Sequence, residues 1–132
     1  MTKAAELAKM GEVLTNSQIG GKRNMIINGG MNVFQRSTSA TDLGASSGYF
    51  SADRFKIFSS TSGRVTMSQS SDTPNGFGNS LKIDVTTADT SIASDELFIL
   101  SYAMEGQDAQ MIKKGTSEAE SLTMSFYAKA NA

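Results

Sequence analysis

Alternation with a period of two marks four stretches of the chain. Leu81, Ile83 and Val85 alternate with Lys82, Asp84 and Thr86. Leu122, Met124, Phe126 and Ala128 alternate with Thr123, Ser125, Tyr127 and Lys129. Val65 and Met67 alternate with Arg64, Thr66 and Ser68; Phe55, Ile57 and Ser59 alternate less cleanly with Lys56 and Phe58. A strand sends successive side chains to opposite faces, so each stretch predicts a strand with one wet face. The spacing further predicts that Leu81, Ile83, Val85, Leu122, Met124 and Phe126 share one core. The run from Leu97 to Met104 is apolar at both parities and predicts a central strand covered on both sides. Polar turn signals separate these runs at 60–63, 72–76, 89–91 and 113–116, and Ala109–Lys114 predicts a helical turn.

Strands so spaced predict an all-β fold, a β-sandwich of jelly-roll type. The count is about seven candidates where a jelly roll has about eight, so the expected module is incomplete at its C-terminal end. Either the chain is a fragment or neighbouring copies complete the sheet.

The N-terminus carries a different period. Ala4, Leu7, Met10 and Leu14 recur at spacings of three and four, with Thr2 as a candidate cap, predicting a short helix within residues 1–14. A helix of three turns is marginal alone in water, so its stripe of Leu7, Met10 and Leu14 needs a docking surface. A polar, glycine-containing linker at 15–23 separates it from the β module at 24–132. The helix is therefore expected to serve attachment or oligomerisation.

Between linker and strands lies Asn24-Met25-Ile26-Ile27-Asn28-Gly29-Gly30-Met31-Asn32-Val33-Phe34-Gln35-Arg36. Asn28, Gly29 and Gly30 read as a turn between two short strands, because Gly takes positive φ at no steric cost and Asn tolerates it. Gln35-Arg36 and then Asp53-Arg54-Phe55 put polar and charged side chains beside apolar runs. These residues are the main candidate constellation. Arg presents a planar fork suited to carboxylates and carbonyls, so Gln35, Arg36, Asp53 and Arg54 are expected to lock two strands together, with Asp53 paired to Arg36 or Arg54 away from any cavity. Contact with a carboxylate or with sugar hydroxyls is the competing role.

The combination Asn24, Ile26, Ile27, Asn28, Gly29, Met31, then Gln35-Arg36, then Tyr49 and Asp53-Arg54-Phe55, resembles a module of bacteriophage tail fibres and related virion proteins. Glu105-Gly106 and Leu122–Lys129 resemble its later parts. Phe55 stands where that family often has Trp, and the family's domain usually continues past the equivalent of Lys129. The resemblance implies a structural virion protein: the N-terminal part of a tail fibre that anchors the fibre and presents a β-sandwich for host attachment. It implies a homo-oligomer, commonly a trimer, docked on other tail proteins such as an adaptor or nozzle. It also implies synthesis in the host cytoplasm and residence in the virion tail. A carbohydrate-binding module contacting host surface glycan and a fibre decorating the capsid are the alternatives.

Composition narrows the chemistry. The chain of 132 residues has no Cys and no His, which removes thiolate nucleophiles, the Ser-His-Asp triad and nearly every zinc site. Twelve basic against thirteen acidic residues give no phosphate-tracking surface, so no nucleic-acid partner is expected. No apolar run approaches the length needed for membrane insertion. Asp95-Glu96, Glu105 and Asp108 form the densest carboxylate set but lack the oxygen spacing of a calcium loop. No cofactor, metal or enzymatic activity is expected. Tyr49, Phe50, Phe77, Phe98, Tyr102 and Tyr127 are the aromatics available for stacking on sugars, Tyr127 being the best placed by strand parity. Eight Met residues read as core filler or as an adaptable interface.

Overall fold

The computed structural model describes residues 2–8 and 24–131. Residues 3–8 are helical (α1), opening with N–H groups of Ala5 and Glu6 donated to the Thr2 carbonyl. Leu7 is 71% exposed on this helix. Met10, Leu14 and the linker at 15–23 lie outside the described residues.

The rest is all-β. Strands β1 (Ser39–Leu43), β3 (Arg64–Ser70) and β4 (Ser80–Thr87) form one antiparallel sheet in the order β1-β3-β4. Strands β2 (Phe55–Ser60) and β5 (Leu97–Tyr102) form a second. The helix α2 (Gly106–Ala109) runs into a 3-10 turn, Gln110–Ile112, that ends at Lys113 in the left-handed region.

The two sheets share one core of Leu43, Ala52, Phe55, Ile57, Val65 and Met67, the layering of a β-sandwich. Alternation explains the membership. In β2, Phe55, Ile57 and Ser59 face inward while Phe58 faces out, and in β3 Val65 and Met67 are the buried positions. Each large apolar side chain so buried contributes about 1.5–3 kcal/mol. β1 carries little apolar signal in the sequence. It is placed by pairing with β3 across a register shift between Ala40 and Leu43, where Asp42 takes φ of 58°.

Several expectations are corrected. Residues 24–36 form no strand but a compact loop, because Asn side chains satisfy backbone groups that a ladder would otherwise pair. Residues 122–128 are not a strand either, and Leu122, Met124 and Phe126 are exposed. The six-residue core expected around them does not form. Leu81 packs partly against the core, while Ile83 and Val85 stay exposed at the sheet edge. β5 is an edge strand, exposed over Leu97–Leu100, rather than a central one. Its two apolar faces lack the covering layers that a central position would supply.

One edge of β2 carries β5; the other takes the backbone bridge between Gly48 and Ile57. β4 and β5 each pair with a strand along one edge only.

Candidate functional site: a polar corner

The corner is built around one amide. Asn28 Oδ1 accepts the N–H groups of Asn32 and Val33, both at 2.9 Å. Its Nδ2 donates to the carbonyls of Val33, at 2.9 Å, and Asp53, at 3.0 Å. Both lone pairs and both protons of the side chain are used. The positive φ angles fall on Asn28 (61°) and Met31 (51°), and neither Gly29 nor Gly30 takes one. The expected reason for those glycines is thus corrected to closeness: a Cβ on Gly30 would meet the Asn32 side chain at 3.1 Å, and one on Gly29 the Asn24 amide at 3.3 Å.

Asp53 continues the network. Its Oδ1 accepts from Arg36 Nη1 at 2.9 Å, and its Oδ2 accepts the backbone N–H of Gln35 at 2.9 Å. Its own N–H donates to the Val33 carbonyl at 3.1 Å. Gln35 therefore enters the lock through its main chain. Arg54, in the left-handed region at φ 75°, turns away from Asp53 and pairs through Nη1 with Glu105. Its Nη2 lies 4.0 Å from Asp108 Oδ2. The Arg54 hydrogen bond and charge hold the Glu105 carboxyl below its usual range, and Glu105, then Tyr102, push the guanidinium up.

Tyr102 closes the corner from β5. Its ring packs on Phe55 at 5.4 Å between centroids, and its hydroxyl accepts the Ile27 N–H at 2.8 Å. The side chains of Asn28, Arg36, Asp53, Arg54, Tyr102 and Glu105 thus tie the loop 24–36, the start of β2 and the end of β5 into one unit. Glu105 and Tyr102 are the members that sequence reasoning did not assign to the lock. The carboxylate-after-strand position of Glu105, beside Gly106, was the available signal for the first.

The lock is not away from a cavity. Gln35, Arg36, Tyr49, Asp53, Arg54 and Ala103 line an open cleft of about 330 Å³. The Arg36 guanidinium sits 5.5 Å from the Tyr49 ring centroid, and Tyr49 is 42% exposed. Both Asp53 oxygens are already engaged, which leaves the carboxylate poorly placed as a general base. Among the described residues, no three carboxylates gather as a metal site. Tyr127 lies far from the cleft in the chain's path, edge-on to Phe77 at 5.7 Å. The stripe residue Leu7 makes no part of this corner.

Comparison with protein-family models, curated proteins and solved structures returns no match.

Proposed function

We propose that the chain is a structural virion protein, the N-terminal part of a bacteriophage tail fibre. In this reading residues 1–14 fasten copies to one another and to tail proteins, and the β module presents the host-facing surface. The observation that carries it is the polar corner. The residues behind the resemblance, among them Asn28, Arg36, Asp53, Arg54 and Glu105, are scattered in sequence yet joined by direct hydrogen bonds and ion pairs. Both Asp53 oxygens and all four hydrogen-bonding positions of the Asn28 amide are engaged within the corner, as suits a scaffold more than a catalyst, while Arg54 Nε and Nη2 are buried without a hydrogen bond among the described residues. A homotrimer on the virion tail is part of the same proposal.

The test is a deletion of residues 1–21. The shortened protein should keep the circular-dichroism spectrum of the β module and fail to join the particle. Normal incorporation of the shortened protein rules the anchor out.

A second reading, carbohydrate binding, is favoured by one feature: the cleft that sets the exposed face of Tyr49 beside Arg36, Gln35 and Asp53. Tyr49→Ala should then abolish retention on host surface glycan while leaving the melting curve unchanged. Retention equal to the parent's removes this reading.

A further inference from the structure

Asn followed by Gly occurs twice in the chain, at Asn28-Gly29 and at Asn75-Gly76. The second pair lies in the turn between β3 and β4. The Phe77 N–H donates to the Pro74 carbonyl at 3.2 Å, and Gly76 takes φ of 91°. A hydrogen bond from the fourth residue to the first, with positive φ at the third alone, is the pattern of a type II turn, which favours Gly at that place. The turn is held on both sides of the pair. Thr73 Oγ1 donates to the Phe77 carbonyl at 2.9 Å, and Ser80 Oγ donates to the Asp72 carbonyl at 2.8 Å.

The pair itself is free. Asn75 and Gly76 are exposed, and neither the Asn75 side-chain amide nor the Gly76 N–H makes a hydrogen bond among the described residues. A Cβ on Gly76 would meet nothing within 4 Å, so beyond its chain neighbours the space there is open. Asn28 is the opposite case, its amide engaged at all four positions. The residue that the turn requires for its positive φ also lacks the side chain that would shield its nitrogen from the preceding amide.

We propose that Asn75-Gly76 is a site of spontaneous covalent modification, at which the asparagine of the exposed turn converts to isoaspartate and aspartate. The Gly76 nitrogen, having lost its proton to solvent base, attacks the Asn75 side-chain carbonyl carbon. The new N–C bond closes a five-membered imide, and the side-chain nitrogen takes a proton from water and leaves as ammonia. Water then opens the imide at either carbonyl. One opening gives aspartate. The other routes the main chain through the former side chain and gives isoaspartate, one methylene longer. No oxidant or reductant is needed, and only water is consumed. Each conversion adds one carboxylate, so the formal net charge goes from −1 to −2. The change falls on a turn that carries contacts to the C-terminal segment: the Phe77 ring lies 5.7 Å from that of Tyr127, and Asp72 accepts from Lys129 Nζ at 2.6 Å. The site is separate from the polar corner and does not depend on the virion reading.

The experiment is incubation of the full, folded chain at mildly alkaline pH, sampled over time by peptide mapping with mass spectrometry. Fragmentation that separates isoaspartate from aspartate identifies the product. Asn75 should convert at least about tenfold faster than Asn28, because Asn28 must first leave its four hydrogen bonds. In urea the two should convert at similar rates, since both are then Asn-Gly in an open chain. Asn75→Gln should lose the acidic species that the parent accumulates on ion exchange, because Gln would have to close a six-membered ring, a much slower step. Its melting curve should match the parent's, since the Asn75 side chain is exposed and bonds to nothing among the described residues. Equal rates at Asn75 and Asn28 in the folded chain overturn the proposal, as does an Asn75 that converts only in urea. Aspartate without isoaspartate overturns the ring closure. An acidic species undiminished in Asn75→Gln places the conversion elsewhere and overturns the site.

Discussion

Met67 and Ile83 stand opposite each other on neighbouring strands, as do Ile57 and Leu100 in the other sheet. Met67 and Ile57 are fully buried, whereas Ile83 is 37% and Leu100 40% exposed. All four are large apolar residues in strands, and the rungs that join them are regular. The difference lies in what stands over each strand. Leu43 of β1 and, from the loop 24–36, Ile26, Met31 and Phe34 pack around the inner pair of strands, and the Gly48 bridge takes the second edge of β2, whereas β4 and β5 each pair with a strand along one edge only. Alternation fixes which face of a strand is apolar; the number of layers decides whether that face is dry.

The sharpest way to break this contrast is truncation on both sides of one rung. Ile57→Ala or Met67→Ala should each cost about 2–5 kcal/mol, because a buried side chain leaves a cavity as well as losing its transfer energy. Val85→Ala should cost below about 1 kcal/mol. Urea denaturation gives both values. A Val85 cost equal to that of Met67 would show that this end of β4 is covered.

The next effect concerns the polar corner around Asn28. Asn28→Ala removes four hydrogen bonds and should cost about 2–4 kcal/mol. Gly29→Ala should cost less, because φ there is not positive and the nearest neighbour of the new Cβ is a movable Asn24 side chain. Thermal melts of the two variants rank them, and the reverse order would return the turn to the glycines.

Smaller still is Arg36→Ala. The Arg36 side chain is 52% exposed, so its ion pair with Asp53 should contribute below about 1 kcal/mol. A fully buried pair would give several times more. Denaturant midpoints at low and high salt test this, since an exposed pair is screened.

Acidification should give the mildest change. The Glu105 carboxyl is depressed by Arg54, so the folded state binds its proton less readily than the unfolded chain does. The contribution is therefore complete above the ordinary carboxylate range and fades as pH falls through the depressed value. The acid-side slope of the melting temperature should flatten in Glu105→Gln; an unchanged slope would assign it to other carboxylates.

The all-β class, the inward faces of β2 and β3 and the helical turn near 110 were legible because they follow from local period and turn chemistry. The candidate lock was legible in its members Gln35, Arg36 and Asp53, but its wiring was not. Arg54 chose Glu105, fifty-one positions away, over its neighbour Asp53, a choice made by the left-handed backbone at Arg54 that aims the side chain elsewhere. The strand-like reading of 24–36 failed for a related reason. Two Asn side chains offered that backbone partners close in sequence, and these outcompeted a ladder. Residues 122–128 have the period of a strand but pair with no strand edge among the described residues, and period alone cannot make that pairing.

Asn28 also gives the corner a chemical age. Asn followed by Gly is the pair most open to succinimide closure, in which the Gly nitrogen attacks the Asn side-chain carbon and ammonia leaves. The product after hydrolysis is a carboxylate or its isomer. Here that would replace two donated protons with negative charge facing the carbonyls of Val33 and Asp53. Closure requires the amide to swing out of four hydrogen bonds first, so the intact corner slows its own decay. A chain that loosens here loses the protection, and the resulting charge keeps it loose: wear at one side chain becomes irreversible for the whole corner.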